Sequence, residues 1–472
     1  MVTIQHSTIH KQIAYGVEQA KNLSRSVMVS TSTKVDHLYI DPVTFYERGK
    51  YRTGKRIYWS APSGDFVMVG IGHAYTFESK KGNNFGQMEK EWKAVIENSI
   101  CEPEQLSSGV GPVVFGTFSF DPEKVRTSLW RYFPVAKMII PRHLLTVTNG
   151  DYWLTINTIV DADTNINQMT NSLLDEQTQL LKDAHIPFES EFGQNFIVEE
   201  VAKDEWIESI DTVAAQIRKK EIEKVVLARE IRVKSNSPFE VENILSRFRM
   251  EQPTSYIFAV ESGGDCFIGA SPERLIKKEG KEAFTTCLAG SIARGKSSDE
   301  DLLLGNELLN DEKNLHEHEV VVRAIRSAFV QGCDRVEVPE KPVLYKVRDI
   351  QHLYTPIVGE VKEGMSLLTL VEKLHPTPAL GGYPKKEALE KIREIEHLDR
   401  GLYAGPIGWM DGKGNGEFAV AIRSGLVQGK EASLFAGCGI VGSSDPVSEY
   451  KETQMKFRPM LSALGGSFNE IK

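Results

Sequence analysis

Cysteine is scarce in this 472-residue chain: Cys101, Cys266, Cys287, Cys333 and Cys438 are odd in number, far apart and never spaced as CxxC. That pattern excludes a disulfide framework and a thiolate zinc site, and it suits a reducing compartment. Long apolar runs are also missing. No uninterrupted stretch approaches the roughly 18 residues of a membrane span, and the opening MVTIQHSTIHKQ lacks the basic start and apolar core of a secretory signal. The chain is therefore expected in the cytoplasm, away from membranes. Positive charge is not in excess, since 56 Lys and Arg stand against 65 Asp and Glu for a net charge of -9. Sequence-independent nucleic-acid binding needs clustered cations, so no nucleic-acid partner is expected, and an anionic ligand must meet positive groups gathered locally. Neither low-complexity tracts nor solenoid-length repeats occur. What is present, 41% hydrophobic and 26% charged residues, is the balance of a globular protein with a large core.

The best boundary lies near residues 186 to 204, where IPFESEFGQNF is short on regular periodicity. It divides the chain into an N-terminal region, 1–198, expected to be integrated with the same fold, and a catalytic region, 199–465. Directly after it, Trp206, Ile210, Val213, Ala214 and Ile217 recur at helical spacing. They predict an amphipathic helix from Asp204 to Lys220 with Asp204 capping its first turn. VVFGTFSF and YWLTINTIV read as strands of the N-terminal region; KVVLAREIRV, SYIFAV and DCFIGAS read as strands of the second. DEDLLLGNELLNDEKNLHEHEVVVRAIRSAF reads as one or two helices. In GWMDGKGNGEFAVAIRSGLVQGKEASLFAGCGIVG the connections are too short for crossover helices, which predicts successive antiparallel strands. The class is α+β, with large, mostly antiparallel sheets and helices packed outside.

Several residues could carry chemistry. Asp445-Pro446 opens the last helix, and Glu449, Glu452 and Lys456 then fall on one face. Charge patterning alone favours a solvated face with a Glu452–Lys456 pair; the alternative is a set of hard-cation ligands beside an anion-binding lysine. Gly437 to Gly442 matches GxGxxG, but no βαβ unit follows, so a dinucleotide site is rejected. A glycine turn at a helix N-terminus could still hold a carboxylate on its amides. In His316-Glu317-His318-Glu319 the two histidines point to opposite helix faces, which rules out an HExxH-type zinc site. Glu317 remains open between a solvated residue and an oxygen ligand for Mg²⁺. Lys224, at the start of KVVLAR, is either a lysine with its head in water or a general base in apolar surroundings. Glu273, after a strand, is either a turn residue or a general acid with a raised pKa.

These pieces, in this order, resemble the chorismate-utilising enzymes, the group of anthranilate synthase component I, aminodeoxychorismate synthase, isochorismate synthase and salicylate synthase. The resemblance rests on KVVLAR, GASPERL, LAGS, HEHEVVVRA, IQHLYTP, HPTPALGGYPK, GLYAGPIGW, FAVAIRSG and AGCGIVGSSDPVSEYKETQMK, found in sequence from about Lys224 to Lys456. Length and N-terminal region look like the menaquinone-pathway isochorismate synthases of bacilli. The resemblance implies that Lys224 activates a water and Glu273 protonates the departing C4 hydroxyl of chorismate. It further implies that Glu317 and Glu452 bind Mg²⁺, with Glu449 reaching it through water. Tyr403, Arg423, the amides around Gly437 and Gly439, and Lys456 would surround the enolpyruvyl carboxylate, while Gly290, Ser291 and His352 border the ring.

Three positions discriminate within the family. The nucleophilic lysine of the aminodeoxychorismate synthases' PIKGT segment is replaced here by Leu288-Ala289-Gly290-Ser291. Anthranilate synthases carry Gln where this chain has Lys224. Salicylate synthases place Thr where this chain has Ala379, which favours stopping at isochorismate. Asn314 stands where some relatives have an acid three residues before the first metal ligand, which implies a weaker or water-mediated contact to Mg²⁺. The implied reaction is water attack at C2 with loss of the C4 hydroxyl, carried out by a monomer without a redox or nucleotide cofactor.

Overall fold

The computed structural model describes residues 2–35, 39–62, 64–82, 84–101, 107–191, 193–219, 222–348 and 350–466, with backbone only for 2–6. Among these are twenty strands and eleven α-helices, and the strands join into one sheet whose paired strands are all antiparallel. The α+β reading holds.

Four strands and two helices frame the later argument: β1 (Lys224–Ser235), β2 (Glu282–Ala293), β3 (Ile350–Val361), β4 (Glu431–Ile440), α1 (Glu312–Gly332) and α2 (Pro446–Ala463). The pairing runs from β1 through β4 to Ser424–Gln428, Asp265–Ser271 and Tyr256–Ser262. It then enters the N-terminal region through Arg56–Ser60, Phe66–Ser79, Ala136–Thr148 and Val113–Phe118. From there it returns through Pro406–Asp411, Gly416–Val420 and Arg274–Glu279 to β2 and β3. The N-terminal strands thus bridge two arms of the C-terminal region. The boundary at 198/199 falls within the strand Phe196–Glu200, which pairs with β1.

Alternation along a strand sends neighbouring side chains to opposite faces, and here each face meets its own core. Phe258 and Val260 join one apolar cluster with Trp59, Phe118 and Phe267, while Ile257 and Ala259 join another with Phe45, Phe248 and Phe457. Strands covered on both faces read as unbroken apolar runs, which is why SYIFAV and DCFIGAS are recognisable by composition.

Local expectations needed two corrections. The predicted helix after the boundary spans Lys203–Arg218 and buries Trp206, Ile210, Val213, Ala214 and Ile217; Lys220 lies outside the described residues. Its cap is Ala202 at φ 48°, with no side-chain hydrogen bond, so Asp204 sits inside the first turn instead. The 406–440 segment forms the successive antiparallel strands expected of it, arranged as two hairpins: Pro406–Asp411 pairs with Gly416–Val420 and Ser424–Gln428 with β4. Between the hairpins the chain changes neighbours at Ala421 to Arg423, where Arg423 has φ 51°. Gly437 and Gly439 belong to β4, opposite Ala228 and Val226 of β1, so they do not form a turn at the N-terminus of α2. That helix is started by Asp445, which accepts the Ser448 N–H, followed by Pro446 in its first turn.

Candidate active site

The two ends of the pairing path meet around a cavity walled by β1 and β4 on one arm and by β2 and β3 on the other. Lys224, Glu273, Gly290, Ser291, Glu317, His352, Ala379, Tyr403, Arg423, Gly437, Glu452 and Lys456 all line it; Gly439 and Glu449 do not.

Lys224 is 2% exposed, so its head is not in water. Its Nζ lies 2.7 Å from Glu317 Oε1, which reaches across from α1. Gly439 makes room for this pair: a Cβ there would lie 2.6 Å from Lys224 Cε and 2.9 Å from Glu317 Oε1. The glycine at 439 therefore reports the close approach of a side chain.

Glu273 is 4% exposed at the end of the strand Asp265–Ser271. Burial pushes its carboxyl up to about 8, against the pull of Lys224, Lys456 and Arg423. It thus keeps its proton at neutral pH, as a general acid requires.

Lys456 and Glu452 form the predicted pair on α2, 2.6 Å apart, and both look into the cavity. Lys456 also donates to Gly437 O at 2.8 Å. Burial works against the Lys456 ammonium, but the Glu452 carboxylate outweighs it and holds the proton above the ordinary lysine range. Burial likewise opposes the Glu452 charge, and Lys456, Lys313 and Arg423 together hold it below the usual carboxylate range. Burial pushes the Tyr403 phenol up to about 12, so it stays a neutral donor. Burial, with Arg423 and Lys456 nearby, lowers His352 to about 3 and keeps its imidazole neutral. A buried wall carrying Arg423, Lys456 and a phenol is suited to a carboxylate, because charge-assisted bonds repay desolvation there.

A family model described as chorismate binding enzyme matches residues 15–465. The chain belongs to that family. It is 44% identical over 474 residues to the isochorismate synthase MenF of Bacillus subtilis (strain 168), covering 99% of each protein. It is 33% identical to the salicylate biosynthesis isochorismate synthase of Pseudomonas aeruginosa, covering 95% of this chain and 93% of that one. The solved structure of the menaquinone-specific isochorismate synthase MenF from Escherichia coli superposes with a TM-score of 0.77 at 23% identity, covering 96% of this chain and 100% of the other. The fold is common to both.

The Mg²⁺ expected of a chorismate-binding enzyme can be tested against the side chains present. Glu317 and Glu452 offer oxygen donors to one cavity. Glu449 stands behind Glu452 on the same helix, 3.6 Å from Lys313, and burial with the Glu452 charge beside it raises its carboxyl. Among the described residues no group of three or more His, Cys, Asp or Glu side chains could enclose an ion. Two carboxylates completed by water and substrate oxygens are nevertheless the usual habit of Mg²⁺, so the donor set fits. The histidines of HEHE are excluded as joint ligands, since His316 is exposed while His318 is buried against β2 and β3.

One part of the site was not legible in this enzyme's sequence. Arg400 lines the cavity and is 3% exposed, paired with Glu396 at 2.7 Å. It donates to Val226 O and Leu380 O, while Glu396 accepts the Ala228 N–H, so the pair ties β1 to the HPTPALGG loop. Four-residue Glu–Arg spacing usually marks a solvated ion pair, and nothing local signals burial.

Proposed function

We propose that the protein is an isochorismate synthase that isomerises chorismate to isochorismate in the cytoplasm, acting as a monomer at the first committed step of menaquinone biosynthesis. The reading rests on one observation: a buried lysine and a carboxyl protonated at neutral pH open into a single cavity whose remaining wall can hold carboxylates. The 44% identity to a Bacillus subtilis isochorismate synthase over the whole chain supports it.

In this mechanism Lys224 takes a proton from the water that attacks C2. The ring double bonds shift, and the C4–O bond breaks as Glu273 delivers its proton, so hydroxide leaves as water. Atoms balance, since one water enters and one departs. Arg423, Tyr403 and Lys456 hold the enolpyruvyl carboxylate, and Gly290, Ser291, His352 and Ala379 border the ring. Glu317 and Glu452 would hold Mg²⁺, with Glu449 placed for contact through water. When bound, the ion would supply positive charge for the C1 carboxylate.

Product analysis of the purified protein with chorismate, with and without Mg²⁺, tests the reading. Isochorismate without pyruvate is expected. Salicylate with pyruvate would instead make it a salicylate synthase, and no conversion would leave a chorismate-binding protein without catalysis.

A further inference from the structure

Strand β2 carries a one-residue bulge at the cavity wall. Leu288 is opposite Tyr354 and Ser291 opposite His352, so Ala289 and Gly290 together face the single residue Leu353. Gly290 takes φ 80°, and a Cβ there would lie 3.2 Å from the Asn314 side chain. Bulges re-aim the side chains around them and recur beside active sites.

Two α1 residues four apart, hence on one face, grip the bulge from both ends. Asn314 Oδ1 accepts the Ser291 N–H at 3.3 Å, and its Nδ2 donates to Asp311 Oδ1 at 2.7 Å. His318 is 3% exposed and bonds Ala289 O through Nδ1 at 3.0 Å. A carbonyl only accepts, so Nδ1 carries the proton and Nε2, 2.8 Å from Thr355 Oγ1, takes that hydroxyl's hydrogen. Beyond the bulge, Ser291 Oγ lies 2.8 Å from His352 Nδ1, and the buried His352 Nε2 has no protein partner. Glu317 sits between Asn314 and His318 on the same helix.

We propose that Asn314 and His318 are positioning residues: together they clamp the Ala289–Gly290 bulge onto α1, so that Ser291 sets the orientation of His352 at the substrate ring. The proposal rests on the isomerase reading above. Asn314 in this chain holds a strand amide, and an acid in its place would meet the Asp311 carboxylate instead of bonding it.

Asn314→Ala, His318→Ala and His318→Asn test this, the last keeping an N–H near the position of Nδ1. Each is assayed for kcat and KM with chorismate, for Tm, and for the ring-nitrogen NMR signals of His352 in selectively labelled protein. Asn314→Ala and His318→Ala are expected to lose about 10- to 100-fold in kcat, because small misplacements remote from the bond change cost that much, with KM moving far less. His318→Asn should recover part of the loss, and Asn314→Ala should shift the His352 signals. Parental kcat in the alanine variants, or lost kcat with His352 signals unmoved, overturns the proposal. Parental protein that forms no isochorismate would defeat the isomerase reading alone, since the His352 shift still reports on the clamp.

Discussion

Replacing Glu273 by glutamine keeps the shape of a buried side chain and removes its proton chemistry. The carboxyl is raised from an ordinary 4.5 to about 8 by burial, against three nearby cations. A shift of that size corresponds to about 5 kcal/mol between its two protonation states. Two consequences follow with definite signs. For catalysis the acid must be protonated, so kcat/KM of the parent should fall about tenfold per pH unit above pH 8, and Glu273→Gln should lower turnover by about 10² to 10⁴. For stability, a carboxyl raised on folding contributes fully below pH 4.5 and loses that contribution as pH climbs through 8. Glutamine stays neutral throughout, so the variant should gain on the parent between pH 5 and pH 9, by as much as about 5 kcal/mol. Chemical denaturation of both proteins across that range, beside kcat/KM profiles, measures both effects. A stability difference that does not change with pH, together with a high-pH limb that survives in the variant, would refute the assignment of a protonated Glu273.

Lys224→Ala should lower turnover by about 10² to 10⁴ while the protein still folds, measured as isochorismate formation beside Tm. Gly439→Ala brings a methyl to 2.6 Å from Lys224 Cε; displacing that pair should cost about 10² in kcat, whereas parental kinetics would show that the close approach carries no function. Chelation by EDTA should abolish turnover and added Mg²⁺ restore it. Glu452→Gln should raise the Mg²⁺ concentration for half-activation by about tenfold or more, as read by metal titration of activity and of intrinsic fluorescence.

How far the sequence carried depended on the range of the physical signal. The cap and stripe of α2 are local, and Asp445, Glu452 and Lys456 behave as their spacing suggests. The strands Tyr256–Ser262 and Asp265–Ser271 were legible because burial on both faces demands apolar side chains throughout. Gly437 and Gly439 were misplaced onto a turn because glycine has two uses. It permits positive φ, and it clears space, and at Gly439 only the partner 2.6 Å away reveals which applies. Lys224 was open between a solvated lysine and a buried base, since a strand's own residues do not say that α1 will cover its first position with Glu317. Arg400 stayed hidden because its four-residue spacing from Glu396 gives no local sign of burial, and the Ala289–Gly290 bulge because pairing across distant strands leaves no local periodicity.

The N-terminal region carries no chemistry-bearing motif, yet it has a mechanical part in the site. Lys224 and Lys456 belong to the arm ending in β1 and β4, whereas Gly290, Ser291 and His352 belong to the arm ending in β2 and β3. Between them the hydrogen-bonded path passes through four strands before residue 150, joined to the arms by Arg56–Ser60 against Tyr256–Ser262 and by Val113–Phe118 against Pro406–Asp411. At the first junction Arg56, 3% exposed, is bonded to both Glu242 and Glu261. Breaking such a buried network by removing one partner costs about 3 to 5 kcal/mol, because the charge left behind is unpaired. The separation between the lysine of one arm and the ring-bordering residues of the other is therefore set by strand pairing outside the catalytic region, as well as by the direct contact of Lys224 with Glu317.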